Sequence, residues 1–196
     1  MLDIYWALMP ADYDDEPIYP PKRQEAIDCT KNPAVRRERY FAWKLLEHGL
    51  KQSLGKSIME IDPYVSADGK WLSDSCFFSI SHSNDAVAVA ISDSPVGIDI
   101  ERKREIDHDA FSRRILTNLE QRDLKARANK NDFLLELWTK KESIYKMLGK
   151  PPFVPSRLEC SEYTTSTFSE KIGDNDYIIS VCSDEINDAS IIEYKL

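Results

Sequence analysis

The 196-residue sequence predicts an α+β protein built from two halves that meet near residue 100. Strand-like and helix-like segments follow one another in two rounds along the chain, which indicates two α+β layers. Apolar residues make up 42% of the sequence, enough for a core in each half, and no apolar run approaches the ~20 residues of a membrane helix. We therefore predict one half at 1–98 and the other at 99–196. The residues show no internal repeat, so any likeness between the halves is one of shape.

The first half is predicted to contain four strands and one long helix. Asp3 to Met9 opens it as a strand, and Val35 to Lys51 follows as a helix with apolar residues on one side and basic residues on much of the other. Phe77 to Ser81, the alternating run 86–92, and Val96 to Glu101 have the composition of strands.

The second half is predicted to contain helices followed by strands. Residues 106–148 have helical spacing of their apolar side chains, with breaks near 117–118 and 129–131, and the two prolines after Lys150 end the last helix. Four strand-like runs come afterwards: Arg157 to Tyr163, Thr167 to Ile172, Tyr177 to Cys182 and Ile191 to Leu196.

Several functional classes are excluded by composition and spacing. The six glycines stand too far apart for a dinucleotide-binding loop, and the four cysteines form no CxxC pair, so we expect reduced thiols. The formal net charge of −8 argues against a general nucleic-acid binder. The amino terminus carries no basic leader, so we expect a cytoplasmic protein with neither a membrane nor a nucleic-acid partner.

Acidic side chains at two places are candidates for chemistry. Asp99 and Glu101 are two apart in an apolar strand pattern, so both project from the same face, although a strand end emerging into solvent would look alike. Glu142 and Lys146 are four apart on the last helix, one turn after Trp138, where an ordinary surface ion pair is the alternative.

A divalent cation is the natural partner of such acids. Three carboxylates brought together repel one another unless a cation joins them, and oxygen-only ligands suit Mg²⁺, which also binds phosphate oxygens. A phosphoryl or pyrophosphate substrate would follow. The segment 79–84, with hydroxyls on both sides of His82, supplies donors that could hold a phosphate, although a lone histidine is as readily structural.

Three sequence blocks together resemble the 4′-phosphopantetheinyl transferases of the Sfp type. The first is Gly69-Lys70 with FFSISHS at 77–83, the second is GIDIE at 97–101, and the third is WTKKESIYK at 138–146. The blocks stand in the order and spacing of that family and span residues 69 to 149.

The resemblance implies a fold and a reaction. The fold would have two similar α+β halves related by a pseudo-two-fold, with the active site between them, in a monomer. The reaction would transfer the 4′-phosphopantetheine arm of coenzyme A to a serine of an apo acyl or peptidyl carrier protein, releasing 3′,5′-ADP with Mg²⁺ as cofactor. Two alternatives stay open: a non-catalytic coenzyme A binding or regulatory protein, and another Mg²⁺-dependent enzyme that processes a pyrophosphate.

The resemblance also implies roles for individual residues. Asp99, Glu101 and Glu142 would hold Mg²⁺ on the pyrophosphate of coenzyme A. Lys146 would contact the phosphates at the reacting centre, and either Glu142 or a metal-bound water would take the serine proton. The nucleotide end of coenzyme A, including its 3′-phosphate, would be contacted by Lys70, Ser81, His82 and Arg39.

The carrier protein would need a basic surface, because such carriers are acidic around the modified serine. Residues 102–130 form the densest basic stretch of the chain, with Arg113, Arg114 and Arg122 among its members. We expect this stretch to be the docking surface. The alternative is the segment 150–152, which follows the last helix.

Overall fold

The computed structural model describes residues 1–14, 16–67, 69–149, 152–172, 174–186 and 189–196. The chain is a mixed α+β protein, as predicted, and forms two compact units: Met1–Ser94 together with Asn187–Leu196, and Pro95–Ile186. The first unit thus takes its last strand from the end of the chain. The halves 1–98 and 99–196, and the pseudo-two-fold between them, stay predictions. Lys150 and Pro151, in the alternative docking segment, lie outside the described residues.

The elements of the described residues follow the predicted order, with short additions in the first unit. They are β1 (Leu2–Leu8), α1 (Pro21–Asp28), α2 (Pro33–Leu54), α3 (Ile58–Ile61), β2 (Tyr64–Val65), β3 (Trp71–Leu72), β4 (Phe77–Ser83), β5 (Ala86–Ser92), β6 (Val96–Arg102), α4 (His108–Ile115), α5 (Asn118–Ala126), α6 (Lys130–Leu148), β7 (Thr165–Ile172), β8 (Asn175–Ser183) and β9 (Ser190–Glu193).

The first unit is a four-stranded sheet with α2 packed on one face. The strand order is β4-β5-β1-β9, in which β1 is antiparallel to β5 and parallel to β9. Asn32 begins α2, because its side-chain oxygen accepts the backbone N–H of Ala34 at 2.9 Å. Gly49 lets the helix lie close to the sheet, since a Cβ there would be 2.8 Å from Ile91 Cδ1. The core lies between this helix and the strands.

The second unit is a three-stranded antiparallel sheet that packs against α6. Its strand order is β6-β8-β7, and Asp99 on β6 is directly opposite Ser180 on β8. The three predicted helices of this unit are confirmed, and their breaks come where α4, α5 and α6 end and begin. Thr117 caps α5 with a capping box that includes Glu120, and Asn129 caps α6.

One predicted strand is wrong. Residues 157–163 form no ladder but lie around two 3₁₀ turns, Pro155–Arg157 and Cys160–Glu162. The carbonyl oxygens of Pro155 and Leu158 accept hydrogen bonds from the Lys141 ammonium group. A side chain from α6 therefore satisfies backbone groups that a strand would have paired with another strand.

The closest contact between β6 and α6 is at Gly97. A Cβ on this glycine would lie 1.9 Å from the carbonyl oxygen of Ser143 and 2.5 Å from the backbone nitrogen of Met147. Only a residue without a side chain fits there, so the sequence lets strand and helix backbones touch. No helix among the described residues is long and apolar enough to cross a membrane.

Candidate functional site

The two β6 carboxylates both reach α6. Asp99 is 6% exposed, and its Oδ1 accepts a hydrogen bond from the Lys146 ammonium at 2.7 Å. Glu101 Oε1 accepts the indole N–H of Trp138 at 3.1 Å, and its Oε2 pairs with Arg104 at 2.8 Å. Strand alternation and the contact at Gly97 explain this, because residues 97, 99 and 101 all face the helix. Residues from two of the three blocks are thus brought together by direct contacts.

Glu142 lies on the same side of α6 as these contacts. Burial raises its pKa above the ordinary value of 4.5, and the charges of Asp99 and Glu101 raise it further. Lys146 and Arg114 act in the opposite direction, as cations that lower the pKa. The three carboxylates are therefore near enough to repel one another.

The donor chemistry of this group fits a hard divalent cation, since all three ligands would be carboxylate oxygens. A cation between them would also relieve the repulsion that raises the pKa of Glu142. Within the part of the chain that the structure describes, no three His, Cys, Asp or Glu side chains already converge at metal-binding distance. Asp99 and Glu101 accept hydrogen bonds from neighbouring side chains instead, so a bound ion would replace some of those contacts.

Buried hydroxyls fix the position of α6 over the sheet. Thr139 Oγ1 lies 2.7 Å from Ser180 Oγ, which lies 3.0 Å from Thr167 Oγ1, so α6, β8 and β7 are joined in one chain of hydrogen bonds. Thr139 and Ser180 are fully buried. Sequence reasoning missed these residues, because only the strand register shows that Ser180 is the neighbour of Asp99.

Lys141 is a second buried residue that the sequence analysis did not single out. It is fully buried and pairs with Glu120 Oε2 at 2.7 Å, while Glu120 Oε2 also accepts the backbone N–H of Thr117. This ion pair ties α6 to the start of α5 and, through the Pro155 and Leu158 carbonyls, to the following turns. A signal was present, since the lysine interrupts an apolar helical stripe.

Two candidates of the first unit, Ser81 and His82, point to opposite faces of β4. His82 is on the α2 side, where its Nδ1 lies 3.4 Å from Glu38 Oε2 and its side chain is 45% exposed. Ser81 is buried on the other face. The structure thus brings His82 together with Glu38. Ser81 and His82 are neighbours in the sequence but do not share a face of the strand.

Arg39 and Lys70 have structural contacts. The Arg39 guanidinium donates to the carbonyl oxygen of Ala26 at 2.9 Å and to Thr30 Oγ1 at 2.7 Å, so it ties α2 to the end of α1. The backbone of Lys70 bonds to Ser66 just before β3, and its side chain is half-buried. Their predicted contacts with coenzyme A stay predictions.

Comparison with known proteins matches a segment that includes the whole second unit. Residues 95–190 match the family model of the 4′-phosphopantetheinyl transferase superfamily. This segment belongs to that superfamily. The segment contains the GIDIE and WTKKESIYK blocks with their carboxylates, whereas Arg39, Lys70, Ser81 and His82 precede it.

Curated 4′-phosphopantetheinyl transferases match stretches of 75 to 80 residues of this chain. The chain is 44% identical over 80 residues to 4′-phosphopantetheinyl transferase gsp of Aneurinibacillus migulanus, covering 40% of this chain and 33% of that protein. It is 39% identical over 75 residues to psf-1 of Bacillus pumilus, covering 37% and 32%. It is 36% identical over 80 residues to Sfp of Bacillus subtilis, covering 40% and 35%. The match spans about a third of the length of these transferases.

The raised pKa of Glu142 predicts a gain in stability when its charge is removed. The pKa of Glu142 is higher in the folded protein than in the unfolded chain, so its ionisation lowers the free energy of unfolding. The contribution of the neutral carboxyl to stability is fully present below pH 4.5 and is lost as the pH rises through the folded-state pKa. In EDTA at about pH 7.5, Glu142→Gln should therefore melt at a higher temperature than the parent, and the two curves should converge towards about pH 4.

The matched control is Glu136→Gln on the same helix, where a 42% exposed carboxylate pairs with Lys140. This change should give no stabilisation, because an exposed ion pair contributes little. A Glu142→Gln variant that melts at or below the parent at about pH 7.5 would show that the carboxylates do not repel one another.

Proposed function

We propose that this protein transfers the 4′-phosphopantetheine arm of coenzyme A to a serine hydroxyl of an apo acyl or peptidyl carrier protein. The observation that carries the proposal is the group formed by Asp99, Glu101, Glu142 and Lys146 on β6 and α6. It lies within the segment that belongs to the 4′-phosphopantetheinyl transferase superfamily. The curated relatives are named as transferases of this kind.

The reaction is a displacement at phosphorus. The serine oxygen forms a bond to the phosphorus that carries the pantetheine arm, and the bond from that phosphorus to the bridging oxygen breaks, so that 3′,5′-ADP leaves. The serine proton goes to a nearby base, for which Glu142 and a water molecule held beside it are the two candidates. Catalysis of phosphoryl-type transfer consists mainly of positioning and charge neutralisation.

Two kinds of positive charge would act on the pyrophosphate. Asp99, Glu101 and Glu142 would hold Mg²⁺, which neutralises the charge of the pyrophosphate when it is bound. Lys146 Nζ lies 2.7 Å from Asp99 Oδ1, and the Lys146 side chain is 26% exposed, so it can contact a phosphate oxygen beside these carboxylates. Its attraction grows as charge develops on the leaving oxygen.

Four residues are proposed to contact the nucleotide end of coenzyme A. Among the predicted contacts, His82 has a partly exposed side chain, and its Nδ1 lies 3.4 Å from Glu38 Oε2. Lys70, Ser81 and Arg39 remain proposals for the same end, although the Arg39 guanidinium already holds α1.

Mass spectrometry of a carrier protein tests the proposed function. Incubation with coenzyme A, Mg²⁺ and a panel of apo carriers should give the phosphopantetheine adduct on a serine of at least one carrier. Asp99→Asn should abolish the adduct, because it removes a ligand charge and the partner of Lys146 at almost constant volume. The control Asp132→Asn, which removes a surface pair with Lys103, should leave transfer unchanged.

Other outcomes distinguish the alternative functions. Binding of coenzyme A without modification of any carrier would favour a non-catalytic coenzyme A binding protein. Cleavage of the pyrophosphate without a carrier would favour another Mg²⁺-dependent enzyme. Undiminished transfer by Asp99→Asn at saturating Mg²⁺ would contradict the assignment of the carboxylates.

His82 provides a test of nucleotide recognition. His82→Ala should weaken binding of coenzyme A more than binding of 3′-dephospho-coenzyme A, because the lost contact is with the 3′-phosphate. Calorimetric titration of both ligands measures the difference, and the second ligand serves as the control. Equal losses for the two ligands would place His82 away from the 3′-phosphate.

A further inference from the structure

Four aromatic rings of the second unit form a continuous surface that we call the aromatic shelf: Phe111, Trp138, Tyr145 and Phe153. The Trp138 ring centroid lies 5.9 Å from those of both Phe111 and Phe153, and Phe153 stacks on Tyr145 at 4.6 Å. All four side chains are partly exposed. The hydrogen bond from Trp138 to Glu101 fixes the shelf at the edge of the carboxylate group.

Arg114 lies on this shelf. Its guanidinium carbon is 5.1 Å from the Trp138 ring centroid and 5.7 Å from that of Phe111, and the residue is exposed at the end of α4. Among the described residues, the Arg114 guanidinium forms no hydrogen bond and no ion pair. Stacking orients the planar guanidinium and leaves the N–H groups at its edge available to a ligand.

Neighbouring cations differ from Arg114. Arg113 is exposed but has no ring contact among the described residues, while Lys103, Arg104 and Lys140 pair with carboxylates. Arg114 also lies beside the carboxylates, because it stacks on Trp138, whose indole N–H donates to Glu101. It therefore combines a fixed orientation, available donors and a place beside the carboxylates.

The ligand chemistry follows from the guanidinium. Its paired N–H groups match two oxygens of one phosphate or carboxylate, and such charge-assisted pairs are stronger than neutral hydrogen bonds. We propose that Arg114, seated on Phe111 and Trp138, binds an oxyanion of the reactants at the rim of the carboxylate group. This inference rests on the proposed function, and the oxyanion is either a phosphate of coenzyme A or a carboxylate of the carrier protein.

Binding measurements on Arg114→Gln test the proposal and identify the source of the oxyanion. One titration measures the Kd for coenzyme A with Mg²⁺, and the other measures the Kd for an acidic apo carrier protein. Loss of one charge-assisted pair should raise one of the two Kd values about tenfold. A rise for coenzyme A assigns the phosphate, and a rise for the carrier assigns the carboxylate.

Two further variants are compared with Arg114→Gln in the same titrations. Lys171→Gln removes one positive charge from an exposed side chain on β7, outside residues 102–130, and should change either Kd less than about twofold. Arg114→Lys keeps the charge and the fold but loses the paired donors, so its Kd should lie between those of the parent and Arg114→Gln. Thermal melts of all variants report any loss of folding.

The proposal is overturned if Arg114→Gln shifts neither Kd more than Lys171→Gln does, or if the parent binds neither ligand. Both titrations measure binding without turnover. A parent that binds its ligands through Arg114 but gives no adduct would therefore contradict the proposed transfer and leave the oxyanion site standing.

Discussion

No side chain fits between β6 and α6 at Gly97, and the candidate site of the second unit depends on that contact. The strand and the helix meet backbone to backbone, so a Cβ would collide with the carbonyl oxygen of Ser143. Asp99 is two residues further along the strand and meets Lys146 at 2.7 Å, and Glu101 meets Trp138 at 3.1 Å. At a larger separation of strand and helix, neither side chain would reach its partner. The glycine of the GIDIE block is therefore as much a part of the site as its acids.

Different sides of α6 make different contacts. The side with Glu142 and Lys146 carries the charges proposed for the reaction, while Thr139 binds the sheet through Ser180. Another side buries Lys141, whose pairing with Glu120 holds the neighbouring segments. Removing one partner of a buried ion pair costs far more than removing an exposed one, because a charge is left without compensation. The WTKKESIYK block therefore combines groups that are proposed to act in the reaction with groups that hold the helix in place.

Local periodicity explains what could be predicted from the sequence. Strand alternation placed Asp99 and Glu101 on one face, and helical spacing placed Glu142 and Lys146 on one stripe. Long-range contacts explain what could not. In place of the predicted strand at 157–163 there are two 3₁₀ turns, and a lysine from α6 donates to the carbonyls of Pro155 and Leu158 at the first of them. The strand β9 joins β1 although 181 residues of chain separate Leu8 from Ser190. Ser81 and His82 are neighbours in the sequence and were predicted to contact the same end of coenzyme A, yet strand alternation places their side chains on opposite faces of β4.

The close contact at Gly97 is tested most directly by giving that residue a methyl group. Gly97→Ala should lower the free energy of unfolding by at least about 3 kcal/mol, because two backbones must separate to admit the methyl group. Gly55→Ala is the control, since nothing lies within 4 Å of a Cβ there and only its left-handed backbone opposes the methyl group, so the expected loss is about 1 kcal/mol. Urea unfolding of the parent and both variants gives the comparison. A Gly97→Ala protein as stable as the parent would contradict the account, because the strand and the helix would then have room between them.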